Sequence, residues 1–257
     1  MALIHCNFFS DVLGLSTSMT VILPQAVQHQ IGMKGVSLKE KHPTLFLLHG
    51  LSDDDSIWTR RTSIERYVAE MDLAVVMPQV HRSYYCDMEY GMRFWTFLTE
   101  ELPAVARSFF PLSAAREDNF AAGLSMGGYG ALKWAMRKPE MLAAAASLSG
   151  GLNRAKLPPD PVRRRDYNLV FGDKTVAGSD DDLFSLVHRL DASPGPKPKF
   201  YQCCGTEDFV YQDNLLFREE WKKTKLDFTY EEGPGIHEWA YWDAKIQDVL
   251  KWLPLRS

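Results

Sequence analysis

A Gly-x-Ser-x-Gly motif centred on Ser125 is the part of this sequence best suited to carry out chemistry. A short apolar run over 120–122 precedes the motif, and a helical pattern follows it over 131–138. In this strand–turn–helix context, a serine hydroxyl is exposed at a sharp turn and lies near the positive end of a helix dipole. Gly123 and Gly127 lack the side chains that would collide with such a turn. The context favours a nucleophilic serine over a chance match in an alanine- and glycine-rich stretch.

A nucleophilic serine needs a general base, and only two of the seven histidines, His188 and His237, follow Ser125. His188 lies in a helical stretch over 183–190, where a surface role is expected. His237 follows the final apolar strand pattern, 226–231, and precedes the last helical pattern. Serine, acid and histidine arrive in that order in many α/β hydrolytic sites, each on a loop after a strand. The sequence therefore predicts His237 as the base.

The acid that orients the base is expected after the preceding strand, in the turn over 204–210. We predict Asp208 for this role, with the adjacent Glu207 as the alternative. Asp173 and the acidic run 180–182 are interpreted as solvated turn residues.

An acyl-transfer site also needs two backbone donors for the oxyanion. One is predicted to be the amide of Met126, and the other the amide of Leu51, in the loop after the buried strand pattern over 44–48. His49 could be a second base, but a structural hydrogen bond at a strand end is favoured. The acidic run 53–55 could suggest a metal, yet a solvated loop is favoured and no metal site is expected.

Apolar runs that alternate with helical patterns predict the elements that hold these residues together. Two edge strands, 3–9 and 17–23, are expected to pair antiparallel. The helical stripe over 93–110 is expected to kink or divide at Pro103. The fold class is therefore α/β, with a mainly parallel sheet covered by helices on both faces. Residues 151–190 break the alternation and are interpreted as an insertion after the sixth strand.

Composition and charge exclude several classes of function. The chain of 257 residues is 46% hydrophobic and 24% charged, with a formal net charge of −4 and one short basic run, 163–165. This balance argues against nucleic-acid binding. No apolar run approaches the ~20 residues that span a bilayer, and no secretory signal pattern is seen. The four cysteines show neither a disulfide nor a zinc spacing, so we expect free thiols and a cytoplasmic location.

Four motifs together resemble the esterase D family, and most of all its bacterial tributyrin esterases. They are residues 47–51 (Leu-Leu-His-Gly-Leu), 123–130 (Gly-Leu-Ser-Met-Gly-Gly-Tyr-Gly), 205–208 (Gly-Thr-Glu-Asp) and 235–239 (Gly-Ile-His-Glu-Trp). The resemblance covers nearly the whole chain. It implies a single α/β-hydrolase domain over 1–257, in which 151–190 forms a cap-like insertion.

The same resemblance implies what the protein does. It implies a serine carboxylesterase that hydrolyses short-chain acyl esters, acetyl to butyryl, without a cofactor; acetylated carbohydrates are within the substrate range of the family. It also implies Ser125, Asp208 and His237 as triad, the Leu51 and Met126 amides as oxyanion hole, and a homo-oligomer. Among the aromatic residues, Trp58 and Tyr85 are expected to bind substrate.

Three alternatives stay open. S-formylglutathione hydrolases resemble this chain, but they usually carry histidines where it has Leu124 and Tyr129, which favours the tributyrin-esterase type. Mycolyltransferases are also similar, so acyl transfer to an acceptor other than water is an alternative. A catalytically idle hydrolase scaffold used for binding is the alternative from outside enzymology, and a complete serine–acid–histidine order argues against it.

Overall fold

One mixed β-sheet organises the chain. The computed structural model describes residues 1–29, 31–32, 34–158 and 160–256. Within these ranges the sheet has eight strands in the spatial order β1-β2-β4-β3-β5-β6-β7-β8. Their bounds are β1 Ala2–Ser10, β2 Leu15–Leu23, β3 Thr44–Leu48, β4 Ala74–Pro78, β5 Asn119–Leu124, β6 Ala144–Leu148, β7 Lys199–Gly205 and β8 Phe228–Gly233.

The sheet is parallel from β4 to β8 and antiparallel at one edge. β1 pairs with β2, and β2 with β4, in antiparallel register, whereas β3–β4, β3–β5, β5–β6, β6–β7 and β7–β8 are parallel pairs. The predicted antiparallel edge pair and the mainly parallel sheet are both confirmed. Because parallel strands end at the same edge, the loops after β3, β5, β7 and β8 meet there.

Helices cover both faces of the sheet. Their bounds are α1 Ile57–Arg61, α2 Ile64–Val68, α3 Phe94–Thr96, α4 Leu102–Phe109, α5 Met126–Arg137, α6 Pro161–Phe171, α7 Leu183–Ala192, α8 Tyr211–Trp221 and α9 Trp239–Trp252. Alternate residues of β5 enter two separate apolar clusters, with Ala121 on one side and Phe120 and Ala122 on the other. Trp134 of α5 belongs to the first cluster and Ile246 of α9 to the second. The strands between them are therefore buried on both faces, as their continuous apolar runs predict.

The helical stripe over 93–110 is divided, as Pro103 predicts. A π-helical turn, Phe97–Glu101, separates α3 from α4, and Pro103 lies in the first turn of α4. Proline has no amide hydrogen to donate, and its ring crowds the preceding turn of an α-helix. The wider π turn relieves that crowding while the chain stays helical.

The segment between β6 and β7 contains α6 and α7, and two acidic residues, Asp166 and Asp181, fasten it to the rest of the molecule. Asp166 of α6 accepts a hydrogen bond from Arg82 Nε at 3.0 Å. Asp181 pairs with the fully buried Lys133 of α5 at 3.0 Å. Asp182 is buried and caps α7 by accepting the amide of Phe184. The expectation that 180–182 are solvated turn residues is therefore wrong for Asp181 and Asp182, because sequence spacing did not reveal their partners.

Three of the four cysteines are buried. Cys6, Cys86, Cys203 and Cys204 are free thiols, as predicted. Within the described ranges, no helix combines the length and apolarity needed to cross a bilayer.

Candidate active site

Ser125 lies at the turn between β5 and α5 in a strained backbone conformation. Its φ of 52° and ψ of −112° lie in a region that residues other than glycine rarely occupy. A Cβ atom on Gly123 would meet the carbonyl carbon of Gly127 at 2.5 Å, and one on Gly127 would meet the Leu48 carbonyl oxygen at 2.3 Å. Only glycine fits at either position, so the tight turn predicted for the motif is confirmed.

The loop after β8 brings His237 to the serine. His237 Nε2 lies 2.9 Å from Ser125 Oγ. On the other side of the ring, Nδ1 lies 2.8 Å from Asp208 Oδ2 and 3.0 Å from Oδ1. With Nδ1–H donating to the carboxylate, Nε2 is left to accept the serine proton. The three side chains predicted from the sequence therefore form one hydrogen-bonded chain.

The loops after β7 and β8 are tied together, and this positions the acid beside the base. The Thr206 amide donates to the Gly233 carbonyl at 2.9 Å, and the Glu207 amide to the Gly235 carbonyl at 3.1 Å. Asp208 is buried and also accepts the Val210 amide at 3.0 Å. Its orientation is thus fixed by two partners.

Glu207, the alternative acid, has a different role. Its carboxylate is exposed and accepts the Gly235 amide at 2.7 Å. That hydrogen bond, followed by one from the Thr206 hydroxyl, holds the pKa of Glu207 below its usual range. Of the two neighbouring acids, Asp208 alone contacts the histidine ring.

Leu51 and Met126 both line the cleft that contains Ser125 and His237. Met126 is the first residue of α5, and amides in the first turn of a helix have no acceptor within the helix. Its N–H, beside the serine, is thereby available to a substrate oxygen. Both residues predicted as oxyanion donors therefore lie at the cleft that contains the serine.

His49 is a structural residue, as favoured from the sequence. It is fully buried, with Nδ1 2.7 Å from the Gly50 carbonyl oxygen, while Nε2 accepts the Val80 amide at 3.1 Å. Burial lowers its pKa from 6.5 to about 4, so the ring is neutral at pH 7. The ring joins the loop that carries Leu51 to the loop after β4.

The acidic run 53–55 forms loop contacts instead of a metal site. Asp53 accepts the Gly50 amide, Asp54 pairs with Arg60, and Asp55 accepts two hydroxyls from β2. Across the described residues, no group of histidine, cysteine and acidic side chains is arranged to hold a metal ion.

Trp58 and Tyr85 do not line the cleft, which differs from the role expected for them. Both side chains are fully buried. Trp58 donates through Nε1 to the Leu48 carbonyl at 3.2 Å and packs edge-on against Trp239, which does line the cleft. The Tyr85 hydroxyl donates to the His49 carbonyl at 2.9 Å. They lie one layer behind the cleft wall because their polar atoms satisfy strand-end carbonyls.

The cleft also exposes residues that the sequence did not single out. Its volume is about 530 Å³. The aromatic rings of Phe209 and Trp242 flank His237, with centroids 4.4 and 4.9 Å from the imidazole. Arg154 and Arg163, from the segment after β6, also line the cleft. Arg163 belongs to the basic run 163–165, whereas no motif marks the other three positions; only the three-dimensional arrangement brings all four to the cleft.

Comparison with known proteins places this fold and site in a class. The esterase family model matches residues 10–253. An acetyl esterase of Caldicellulosiruptor saccharolyticus is 33% identical over 98% of both chains. The substrate-bound structure of fluorophosphonate-binding serine hydrolase F of Staphylococcus aureus is 36% identical, with a TM-score of 0.89 over 100% of this chain and 99% of that one. An S-formylglutathione hydrolase structure from the same organism is also 36% identical, with a TM-score of 0.83 over 98% of both.

The chain has the α/β-hydrolase fold of serine esterases. It belongs to the esterase family and is a carboxylic ester hydrolase. The family resemblance drawn from the four sequence motifs is confirmed, and so is the general activity that it implied. The substrate of an esterase of this kind is a small-molecule ester.

Proposed function

We propose that this protein hydrolyses short-chain acyl esters, acetyl to butyryl, through an acyl-enzyme on Ser125. The observation that carries the proposal is the continuous hydrogen-bonded chain from the Ser125 hydroxyl through His237 to Asp208. In such a chain the imidazole removes the proton of the hydroxyl as it attacks, and the carboxylate stabilises the imidazolium that forms.

The proposed reaction has two halves. In the first, Ser125 Oγ attacks the ester carbonyl while His237 takes its proton, and the amides of Leu51 and Met126 donate to the oxyanion. The imidazolium then protonates the leaving alcohol. In the second half, His237 activates a water that attacks the acyl-enzyme and frees Ser125. Losing one oxyanion donor typically costs ~10²–10³ in rate.

Three observations favour a small substrate. The cleft of about 530 Å³ is within the range usual for small-molecule sites. The curated relative at 33% identity is named an acetyl esterase. Phe209 and Trp242 flank the histidine and narrow the space beside it. Acetylated carbohydrates belong to the proposed substrate range.

We further propose that the 151–190 segment acts as a cap within a single domain, because Gly151, Arg154 and Arg163 form part of the cleft wall.

A thioesterase acting on S-formylglutathione is the second candidate, favoured by the 36% identity to a structure of that name. Transfer to an alcohol or sugar is a third outcome that the same chemistry allows. The test is a panel of 4-nitrophenyl esters of increasing chain length, assayed beside acetylated sugars and S-formylglutathione, with product analysis in added alcohol. The proposal predicts the highest kcat/KM for acetyl to butyryl esters; a clear preference for S-formylglutathione would reverse the order of the two candidates.

A cytoplasmic location and a homo-oligomeric state complete the proposal. The free cysteines support the first. Exposed apolar side chains on β1 and α4, Phe9 and Phe109, are candidates for a subunit contact. Cell fractionation and light scattering test the two statements separately.

A further inference from the structure

Two arginines line the catalytic cleft without an acidic partner. Among the residues that the structure describes, no carboxylate lies within salt-bridge distance of the guanidinium of Arg154 or Arg163, whereas the third cleft arginine, Arg82, is paired with Asp166. Charged side chains that line a cleft are usually paired with a group of opposite charge. Two guanidinium groups without such a partner in the cleft of the nucleophile therefore need an explanation.

Both guanidinium groups are held in place by aromatic rings. Arg154 Cζ lies 5.1 Å from the centre of the Tyr84 ring, and Arg163 Cζ lies 4.8 Å from the centre of the Phe209 ring. Stacking on an aromatic face leaves the N–H edge of a guanidinium able to donate. Arg154 is only partly exposed, and its Nε is buried without a hydrogen-bond partner within the described ranges. Arg154 is thus restrained on the cleft wall by the Tyr84 ring, while its Nε–H remains available as a hydrogen-bond donor.

The acidic residues of the cleft lie elsewhere on the sheet edge. Asp53 follows β3 and accepts the Gly50 amide, and the exposed Glu238 follows β8. Arg154 and Arg163 follow β6, which is the neighbour of β5, the strand directly before Ser125. The two unpaired arginines therefore enter the cleft from a single segment, which contributes none of the acidic side chains of the cleft, although the whole chain is acidic.

We propose that Arg154 and Arg163 form a subsite for a carboxylate carried by the ester substrate. A planar guanidinium fork matches a planar carboxylate and can bind it with two parallel hydrogen bonds. The inference rests on the proposed esterase function and makes it narrower: the enzyme prefers an ester that is also a monoanion. Either the acyl group or the leaving group could present the carboxylate to the two arginines.

The experiment compares anionic and neutral esters in matched pairs. Mono-4-nitrophenyl succinate against 4-nitrophenyl butyrate tests a carboxylate on the acyl side. 3-Carboxy-4-nitrophenyl acetate against 4-nitrophenyl acetate tests one on the leaving group. Each pair is assayed with the wild type, Arg154→Gln, Arg163→Gln and Arg154→Lys. Arg164→Gln is the control, since Arg164 is an exposed neighbour on α6 that does not line the cleft.

We expect each glutamine variant to lower the ratio of anionic to neutral kcat/KM by about 10-fold or more in one of the two pairs, mainly through KM, because a charge-assisted hydrogen bond is lost. Arg154→Lys should restore part of the ratio, and Arg164→Gln should leave it unchanged. Added salt should raise KM for the anionic ester alone. Equal losses on both members of each pair, or an unchanged ratio, would overturn the proposal.

A binding measurement separates this inference from the esterase proposal. Calorimetric titration of the Ser125→Ala protein with mono-4-nitrophenyl succinate and with 3-carboxy-4-nitrophenyl acetate reports affinity without turnover. If the carboxylate subsite exists, the double variant Ser125→Ala, Arg154→Gln should bind one of these two anionic esters about 10-fold more weakly than Ser125→Ala alone. If the wild type hydrolysed none of the esters but the binding difference were present, the proposed short-chain ester hydrolysis would be refuted and the carboxylate subsite would stand. Hydrolysis of the neutral esters without any binding difference would do the reverse.

Discussion

His237 Nε2 lies 2.9 Å from Ser125 Oγ, although 112 residues separate the two along the chain. The sheet explains this contact: β5 ends at Leu124, directly before Ser125, β8 precedes His237, and the parallel strands from β5 to β8 end at one edge. The base therefore reaches the nucleophile because of strand order. Changes that alter this edge should affect activity, and changes elsewhere should affect stability alone.

Replacing the acid that contacts His237 should be far more damaging than replacing its neighbour. Asp208→Asn should lower kcat by roughly 10⁴, since an amide no longer holds the histidine in the tautomer that accepts the serine proton. Glu207→Gln, which keeps an acceptor for the Gly235 amide, should change kcat little. Steady-state kinetics with 4-nitrophenyl acetate measures both. Comparable losses in the two variants would contradict the assignment of Asp208.

Gly127, two residues after the nucleophile, should tolerate no side chain. A Cβ on residue 127 would meet the Leu48 carbonyl oxygen at 2.3 Å, and backbone cannot move away cheaply. Gly127→Ala should lower the free energy of unfolding by about 3 kcal/mol and reduce activity. Gly195→Ala is the matched control, because nothing lies within 4 Å of its Cβ. Urea denaturation of both variants is the measurement, and a neutral Gly127→Ala would refute the close contact.

Burial of His49 predicts a specific pH dependence of stability. Its pKa falls from 6.5 to about 4 on folding because burial disfavours the charged ring. As pH falls through 6.5, the unfolded chain takes up a proton that the folded chain refuses until about pH 4. This difference contributes about 3 kcal/mol to the free energy of unfolding above pH 6.5. The contribution is lost as the pH falls from 6.5 to about 4, and it does not change further at lower pH.

Urea unfolding at a series of pH values measures this effect. The neutral variant His49→Gln should lose the part of the slope that lies between about pH 6.5 and pH 4, whatever its overall stability. A variant with the same slope as the wild type would show that His49 is not the group responsible.

The ion pair between Lys133 and Asp181 should be essential to the anchoring of the β6–β7 segment. Asp181→Asn leaves a fully buried ammonium without its carboxylate, which should cost about 3 kcal/mol of the free energy of unfolding. Asp180→Asn removes an exposed acid from the same turn and should cost less than about 1 kcal/mol. Thermal or urea unfolding compares the two, and equal effects would contradict a special role for Asp181.

The parts of the fold that depend on local pattern could be predicted from the sequence. The buried strands, the antiparallel edge pair and the break at Pro103 follow from apolar runs and proline chemistry. The serine–acid–histidine order selected Ser125, Asp208 and His237, which the structure brings into one hydrogen-bonded chain. Each of these residues follows a strand, so the strand order brings them to the same edge of the sheet.

The parts that depend on side-chain packing could not be predicted. Their aromatic character predicts Trp58 and Tyr85 at the pocket, but the direction of a side chain depends on its helix or loop. Both side chains donate to the carbonyls of Leu48 and His49 instead. The sequence predicts Asp181 and Asp182 as surface residues. The partner of Asp181, Lys133, is distant in the chain, and the partner of Asp182, the Phe184 amide, lies within a turn. No motif marks Arg154, and the basic run that contains Arg163 does not indicate a position in the cleft.

Trapping the acyl-enzyme tests the central claim most directly. The wild type is mixed briefly with 4-nitrophenyl acetate, quenched in acid, and analysed by intact mass and peptide mapping beside Ser125→Ala. The account predicts a burst of nitrophenol, one acetyl group on the peptide that contains Ser125, and a loss of kcat on the order of 10⁵–10⁶ in the variant. An acetyl group on another residue, or a variant that turns over at the wild-type rate, would contradict it.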